Sequence, residues 1–348
     1  MRDIIFQVAA SVILRADAHH PADAVLRGEL KASKLAPEQN RKITSLVFSY
    51  YRWFGWLDAN ESLLQQMRLC QELNEDWLRD PSQFSNEDVL RKAAPAWIWE
   101  HMPQSVEYVR ALQAEPKLWL RARGGQGPTV ASEVGNCERP FPEILPDTLE
   151  FRGTNDLFRT RAFLDGMFEI QDLSSQWVGV TSDPKPGETW WDACAGEGGK
   201  LLHLSSLMGN KGLIWASDRA EWRLKRLKRR TARAHVFNYR SALWDGGAKL
   251  PTRTMFNGVL VDAPCSGVGT WQRNPHARWT TTAKDVQELG ELQKKLLGHA
   301  AKGVKAGGKL VYSVCTLTRG ETEEVAQGFE SQHADFSRVE LARLSGEK

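Results

Sequence analysis

From about residue 166 onward, the sequence predicts an α/β fold with a doubly wound, Rossmann-like parallel sheet. Short apolar runs alternate there with segments of helical composition. The runs are T-W-W-D-A-C (189–194), G-L-I-W-A-S-D (212–218), H-V-F-N-Y (235–239), G-V-L-V-D-A-P-C (258–265) and K-L-V-Y-S-V-C (309–315). Strands separated by helices are typical of βαβ units. Because ligands of such sheets bind beyond the carboxyl ends of the strands, we expect the functional residues at that edge.

Two smaller regions are predicted to precede this sheet. Residues 1–80 place apolar side chains three or four positions apart, which indicates a helical domain. The polar stretch 74–88 contains Pro81 and predicts a loop or linker. Residues 90–165 combine a helix near 105–114 with the strand-like L-W-L-R-A-R at 118–123, and predict a small α/β unit. The sheet domain then occupies residues 166–348.

Composition excludes several classes of protein. The chain has 348 residues, a formal net charge of +3 and 41% hydrophobic residues, which is ordinary for a globular protein of two or three domains. Its five cysteines are far apart and form no C-x-x-C pair, so neither a disulfide framework nor a metal site is predicted. No apolar run is long enough to cross a membrane. We therefore expect a cytoplasmic protein.

A glycine-rich turn follows the first predicted strand of the sheet. Gly196, Gly198 and Gly199 allow the backbone to turn sharply and to approach a ligand. A dinucleotide fingerprint would need glycine at Leu201, and a P-loop would need Ser or Thr there. S-adenosylmethionine remains as the predicted cofactor. Its expected binding residues are Cys194, Ala195, Gly196, Glu197, Gly198, Gly199, Lys200, Asp218 and, two strands further on, Asp262.

Asp218 supports two interpretations. It ends the second strand, where an acidic residue suits the hydroxyls of a ribose. It also immediately precedes a predicted helix, where aspartate is favoured as an N-terminal cap. The sequence alone leaves both open.

Two further strands end in cysteine. Asp262 and Cys265 follow the strand at 258–262, and Cys315 ends a later strand. A single cysteine at such a position is usually a small buried hydrophobic residue. Two thiols at the ligand edge beside an acid favour chemistry instead. Cytosine C5 carries no lone pair, but a thiolate that adds to C6 makes C5 nucleophilic, and an acid near N3 stabilises the charge that develops.

Four motifs in this order resemble the Sun (Fmu) family of RNA 5-methylcytosine methyltransferases. They are F-E-I-Q-D-L-S-S-Q (168–176), D-A-C-A-G-E-G-G-K (192–200), D-A-P-C-S-G-V-G-T (262–270) and the Cys315 strand followed by E-T-E-E (321–324). The resemblance implies that Cys315 is the nucleophile and that Cys265 assists breakdown of the covalent adduct. It also implies that Asp262 is the acid, that S-adenosylmethionine is the cofactor and that RNA is the substrate.

The sequence departs from the family pattern at several positions. Gly196-Glu197 replaces the usual Ala-Pro, and V-C-T replaces T-C-S around Cys315. No aspartate stands on the third strand, where Arg240 lies instead. The family's last strand is expected to be missing before Lys348. The N-terminal helices resemble the NusB-like RNA-binding extension of bacterial small-subunit ribosomal RNA methyltransferases.

The expected partner is RNA, with ribosomal RNA favoured, tRNA as the alternative, and a monomer as the expected state. Residues 219–233 contain eight Lys or Arg, which predicts either a phosphate-binding helix or an ordinary solvated face. Gln272, Arg273, Asn274 and Arg278 follow the Pro-Cys loop, and we expect them to reach the RNA. Two other functions remain open. One is a catalytically impaired RNA-binding or assembly factor, and the other is a methyltransferase for a small molecule or protein.

Overall fold

The computed structural model describes residues 2–339, which fold as two units. The first unit consists of the chain up to Pro116 together with Cys265–Gly290 and Cys315–Glu323. The second consists of Lys117–Pro264, Glu291–Val314 and the chain from Glu324 onward. The last nine positions of the predicted sheet domain, 340–348, lie outside the described residues. Within residues 2–339 no helix is both long and apolar enough to span a bilayer.

Helices build the first unit. They are α1 (Arg2–Arg15), α2 (Ala22–Ser33), α3 (Pro37–Arg52), α4 (Leu63–Arg79), α5 (Asn86–Lys92), α6 (Ile98–His101), α7 (Val106–Gln113) and, later in the chain, α13 (Pro275–Thr280). Each longer helix buries one apolar stripe, as amphipathic spacing predicts. Trp53 and Ile43 are fully buried at the centre of this core, and Trp271 of the loop before α13 packs into the same cluster.

The predicted linker at residues 74–88 is wrong for its first part. Helix α4 continues to Arg79, and a short 3-10 helix, Pro81–Gln83, follows. Trp77 explains the difference because its buried ring packs against Trp53 and Phe84. Tertiary burial of this side chain outweighs the polar composition around it.

A four-stranded antiparallel sheet begins the second unit. Its strands are β1 (Leu118–Ala122), β2 (Cys137–Glu138), β3 (Thr148–Phe151) and β4 (Phe168–Ile170), in the order β2-β3-β1-β4. Helices α8 (Gly127–Val134) and α9 (Arg161–Leu164) cover it. The domain boundaries predicted from the sequence stay predictions.

A five-stranded parallel sheet follows, with the order β7-β6-β5-β8-β9. Its elements are α10 (Leu173–Ser182), β5 (Thr189–Asp192), α11 (Gly199–Leu207), β6 (Leu213–Asp218), α12 (Glu221–Arg233), β7 (Tyr239–Leu243), β8 (Phe256–Asp262), α14 (Ala283–Ala301), β9 (Val304–Ser313) and α15 (Glu323–Gln332). Trp190 and Trp191 alternate along β5 and fill the cores on opposite faces. The predicted Rossmann-like fold class is confirmed.

Two details of this sheet bear on the predictions. The third strand begins at Tyr239, four residues later than predicted, because residues 235–238 close the end of α12. His235 adopts a left-handed φ of 53°, and the Val236 amide donates to the Thr231 carbonyl. After β9, residues 314–339 contain no further strand.

Candidate active site

The strand order reverses beside β5, so β5 and β8 meet at the switch point where doubly wound sheets bind ligands. The glycine turn follows β5 directly. Gly196 and Gly198 have φ values of 54° and 88°, a region that favours glycine, and α11 begins at Gly199. A Cβ atom on Gly196 or Gly199 would meet nothing within 4 Å, so the turn borders open space. The helix terminus offers its unpaired amides to an anionic group there.

Asp218 ends β6 and holds this turn in place. Its Oδ2 accepts a hydrogen bond from the Gly196 amide at 3.0 Å, and its Oδ1 accepts one from the Ala220 amide at 2.8 Å. The second bond holds the turn before α12, but the N-cap of α12 is Ala220, so the interpretation of Asp218 as that cap is wrong. Each carboxylate oxygen can accept a further bond, so a role toward a ribose stays a prediction.

The unusual Glu197 of the turn has a partner. Arg226 of α12 forms an ion pair with it, with an Nη1–Oε1 distance of 2.7 Å. The Arg230 guanidinium also donates to the Glu197 backbone carbonyl at 3.2 Å. The negative charge that this departure introduces is therefore balanced within the second unit.

Lys200 and Asp262 form an ion pair across the switch point. The Lys200 Nζ lies 2.6 Å from the Asp262 Oδ2, and the Ser313 hydroxyl donates to Oδ1 at 2.6 Å. Two strand ends and the first turn of α11 thus fix the predicted acid in one orientation. An ammonium group beside a carboxylate can hold and pass a proton to a bound ring.

Asp192 was missed by the sequence predictions. It ends β5 and is fully buried, and none of the described side chains donates a hydrogen bond to it. Burial, reinforced by the charge of Asp262, raises its pKa to about 7. Its signal was its position, because Asp218 and Asp262 end their strands in the same way. Three strands of the sheet thus end in a carboxyl group at the edge where S-adenosylmethionine is expected to bind.

Cys194 is not a candidate nucleophile. Burial, with Asp192 and Asp262 nearby, raises the pKa of its thiol far above the ordinary value. Its neighbour Ala195 donates its backbone amide to the Ser217 carbonyl at 2.8 Å. Both residues therefore shape the turn through the backbone.

The two predicted catalytic cysteines lie together in the first unit. Their Sγ atoms are 3.1 Å apart, and the Cys315 amide donates to the Cys265 Sγ at 3.2 Å. The contact with Cys315, followed by burial, raises the pKa of the Cys265 thiol strongly. The Cys265 thiol therefore resists ionisation. Cys315 is exposed and is the better placed of the two to act as a thiolate.

Glu321 joins the two loops that carry these cysteines. It is fully buried and accepts hydrogen bonds from the Ser266 amide at 2.8 Å and the Thr318 hydroxyl at 2.9 Å. It also accepts one from the Ser266 hydroxyl. The sequence placed this residue in E-T-E-E but assigned it no role. Its position six residues after Cys315 was the available signal.

The prediction that Arg278 reaches RNA is wrong. Its side chain is fully buried and donates to the backbone carbonyls of Ala93 at 2.8 Å and Leu112 at 3.0 Å. Burial lowers its pKa to about 9. Proximity in sequence to the Pro-Cys loop could not reveal that α13 turns this residue into the helical core. Arg273 on the preceding loop is exposed.

Some of the cations in the basic segment 219–233 form ion pairs with other elements of the protein. Arg230 and Arg233 both bind the buried carboxylate of Glu169, the former with an Nη2–Oε2 distance of 2.7 Å. With Arg226 on Glu197 and Arg223 at 3.8 Å from Asp218, four of the eight cations have partners on other elements. Arg219, Lys228 and Arg229 are exposed, so only part of this helix fits the phosphate-binding interpretation.

Comparison with known proteins places this site in a family. Residues 180–347 match the family described as 16S rRNA methyltransferase RsmB/F. This part of the chain is therefore similar to an RsmB/F methyltransferase domain. The match confirms the predicted family and the predicted fold class, whereas the roles of the individual site residues stay predictions.

Relatives of the RsmB/F domain carry related names. The chain is 39% identical over 198 residues to a probable ribosomal RNA small subunit methyltransferase B of Synechocystis, covering 55% of this chain and 44% of that protein. It is 39% identical over 236 residues to the Bacillus subtilis protein of the same name, covering 67% and 51%. A mouse tRNA (cytosine(72)-C(5))-methyltransferase is 34% identical over 198 residues, covering 52% and 41%. The chain thus spans about half the length of these relatives.

Solved structures resemble the fold over a wider range. The structure of the protein PH0851 covers 98% of this chain and 91% of its own, with a TM-score of 0.77 at 24% identity. A methyltransferase homologue from Pyrococcus horikoshii covers 64% and 72%, with a TM-score of 0.54 at 29% identity. The first likeness establishes the fold beyond the RsmB/F domain.

Proposed function

We propose that this chain methylates cytosine C5 in RNA with S-adenosylmethionine as the methyl donor. The observation that carries the proposal is the pair formed by Cys265 and Cys315, in which one thiol resists ionisation and the other is exposed. A methyltransferase for amino groups or small molecules needs neither thiol. The names of the relatives support RNA as the substrate.

Residues of this chain perform the addition to C6 and stabilise the charge at N3, and water accepts the proton that leaves C5. The Cys315 thiolate attacks C6 of the cytosine and forms a carbon–sulfur bond, which moves an electron pair toward C5. Asp262, held by Lys200 and Ser313, supplies hydrogen bonding or a proton at N3 as charge develops there. S-adenosylmethionine supplies the methyl group that C5 takes up. Removal of the C5 proton then returns the electrons, and Cys315 leaves as a thiolate.

Cys265 is proposed to assist that last stage. Its thiol is the proton carrier nearest to Cys315, and proton exchange between the two sulfur atoms needs no rearrangement at a separation of 3.1 Å. Asp192 and Asp218 are proposed to hold the cofactor with the turn 194–200. Asp192 faces its cationic part and Asp218 its ribose.

Ribosomal RNA of the small subunit is the proposed substrate, because two relatives that are 39% identical are named as methyltransferases of that RNA. The tRNA methyltransferase among the relatives makes tRNA the second candidate. We further propose that residues 1–80 act as a NusB-like RNA-binding domain and that the protein works as a monomer in the cytoplasm.

The test is transfer of tritiated methyl groups from S-adenosylmethionine to total RNA from cells that lack the protein. Label is expected in small-subunit ribosomal RNA, and nuclease digestion should recover it as 5-methylcytidine. The Cys315→Ala variant serves as the matched negative control. Label in tRNA would identify tRNA as the substrate instead. Label in a base other than cytosine would overturn the proposal. Cofactor binding without any incorporation would favour an RNA-binding factor.

A further inference from the structure

A pocket of about 380 Å³ lies within the first unit, separate from the cysteine pair. One wall is a single stripe of α3, with Asn40, Thr44, Phe48 and Arg52 spaced four residues apart. The opposite wall is the loop after Cys265, represented by Gln272 and Arg273. Pockets for small ligands span roughly 300–1,000 Å³, so this one suits a ligand about the size of one nucleotide and excludes a duplex.

The pocket carries surplus positive charge. Arg41, Arg52 and Arg273 line it, whereas Glu115 is its acidic lining residue. Arg52 is only 4% exposed, and its Nη1 donates to Asn74 at 3.1 Å. Buried cations are rare in proteins unless an anion or hydrogen-bond acceptors compensate them. This balance favours a ligand that brings negative charge.

Two polar atoms in the lining lack partners among the described residues. They are the Nε of Arg52, a donor, and the Oδ1 of Asn40, an acceptor. Buried polar atoms without partners are uncommon and indicate a missing ligand or water. Half-buried Phe48 lies between them on the helix and offers an aromatic face. A donor, an acceptor and an aromatic ring are the groups by which proteins recognise an unstacked base.

We propose that this pocket binds one unstacked nucleotide of the substrate RNA near the target cytosine. The inference rests on the proposed function, because it takes RNA as the substrate. The loop supplies the connection, since Gln272 and Arg273 follow Cys265 by seven and eight residues. Tyr108 fixes the loop between them by donating to the Val268 carbonyl at 3.0 Å. A nucleotide held in the pocket therefore sets the register of the RNA at the cysteines and selects the target.

Charge removal in the full-length protein gives the first test. Arg41→Gln removes an exposed cation of the lining, and Lys42→Gln removes the neighbouring cation, which does not line the pocket. Binding to a small-subunit ribosomal RNA transcript is measured by fluorescence anisotropy at several salt concentrations. Arg41→Gln should raise Kd about tenfold, the effect of one lost charge-assisted contact, and reduce the salt slope by about 1. Lys42→Gln should change neither, and equal effects of the two variants would overturn the proposal.

Filling the cavity gives the second test. Ser45 is an exposed lining residue, so Ser45→Trp occupies the space while Ser45→Ala leaves it open. The tryptophan variant should weaken RNA binding and raise KM for RNA about tenfold, because one stacked base is lost. The affinity for S-adenosylmethionine should not change. The alanine variant should match the wild type. Full binding by Ser45→Trp, with the wild-type melting temperature, would exclude a nucleotide in the pocket.

Cross-linking locates the nucleotide and separates this proposal from the one on which it rests. RNA containing 4-thiouridine and 4-thiocytidine is bound to the protein and irradiated, and the cross-linked peptides are identified by mass spectrometry. Links within residues 40–52 or 272–275 support the pocket even if no methyl transfer occurs. Links only elsewhere overturn it even if transfer is normal. Tight binding of free cytidine or uridine monophosphate that leaves RNA binding unaffected would instead assign the pocket to free nucleotides.

Discussion

The Sγ atoms of Cys265 and Cys315 lie 3.1 Å apart, and the backbone amide of Cys315 donates to the sulfur of Cys265. The contact between the sulfur atoms makes the thiols unequal by raising the pKa of Cys265, and the smaller opposite effect of the amide bond does not reverse it. A negative charge on Cys315 is stabilised by the thiol proton of Cys265, whereas ionising both would place two charges side by side. The division of labour between the cysteines therefore has a physical basis in this chain.

Exchange of each cysteine for alanine should separate the two roles. Cys315→Ala removes the nucleophile and should reduce methyl transfer by more than about a thousandfold. Cys265→Ala should leave addition to C6 possible but slow the release of the product. Denaturing gels with labelled RNA should then show a stable protein–RNA adduct for Cys265→Ala alone. An adduct from Cys315→Ala, with full activity, would exchange the assignments.

Glu321 is expected to act as a positioning residue. Glu321→Ala leaves the amide of Ser266 without its acceptor and releases the loop that carries Cys265. Loss of one hydrogen bond to a charged group, about 1.5–3 kcal/mol, predicts a fall in kcat of about 10- to 150-fold. Affinity for S-adenosylmethionine, measured by calorimetry, should not change. Glu323→Gln, an exposed change in the same segment, is the control, and equal kcat values for the two variants would remove the role.

Arg278 is expected to serve stability rather than RNA binding. Arg278→Met keeps an apolar side chain of similar length but leaves the carbonyls of Ala93 and Leu112 without their donor. Each unsatisfied buried group costs about 1–3 kcal/mol, so the free energy of unfolding should fall by about 2–5 kcal/mol. Urea unfolding followed by tryptophan fluorescence measures it. The control is Lys295→Met, an exposed change that should leave the free energy of unfolding almost the same. An equally small effect of Arg278→Met would show that the carbonyl contacts do not matter for stability.

Local pattern was enough to predict the parallel sheet. Strands β5, β6 and β8 begin and end within three residues of the predicted runs, because they combine buried apolar runs with clear helical segments on both sides. The sequence predicted the wrong positions for the linker and the third strand, because tertiary contacts determine the local structure there. Trp77 draws α4 onward into the core, and the end of α12 occupies residues that look like a strand.

The sequence predicted the residues of the site about as well as it predicted the fold. The motifs drew attention to these strand ends. The two cysteines lie next to each other, and Lys200 lies next to Asp262, whereas the roles of these residues stay predictions. The roles of Asp192, Glu321 and Arg278 depend on burial. A buried arginine and an RNA-binding arginine have the same sequence signature, and only the packing of α13 distinguishes them.

Asp192 should make stability depend on pH. Its pKa is raised from 3.8 to about 7 in the folded protein, because burial and nearby carboxylates disfavour the charged form. A raised pKa means that the folded state keeps a proton which the unfolded state loses. The contribution of the protonated group is therefore complete below about pH 4 and is lost as the pH rises through 7.

The Asp192→Asn variant removes this titration while keeping a side chain of the same shape. Its free energy of unfolding, minus that of the wild type, should increase between pH 4 and pH 8 by up to about 4 kcal/mol and then level off. Urea unfolding of both proteins at four pH values, without cofactor, measures this difference. Every other titrating group is common to the two proteins, so its effect cancels. A difference that stays constant from pH 4 to pH 8 would mean that Asp192 ionises normally and is not held by burial.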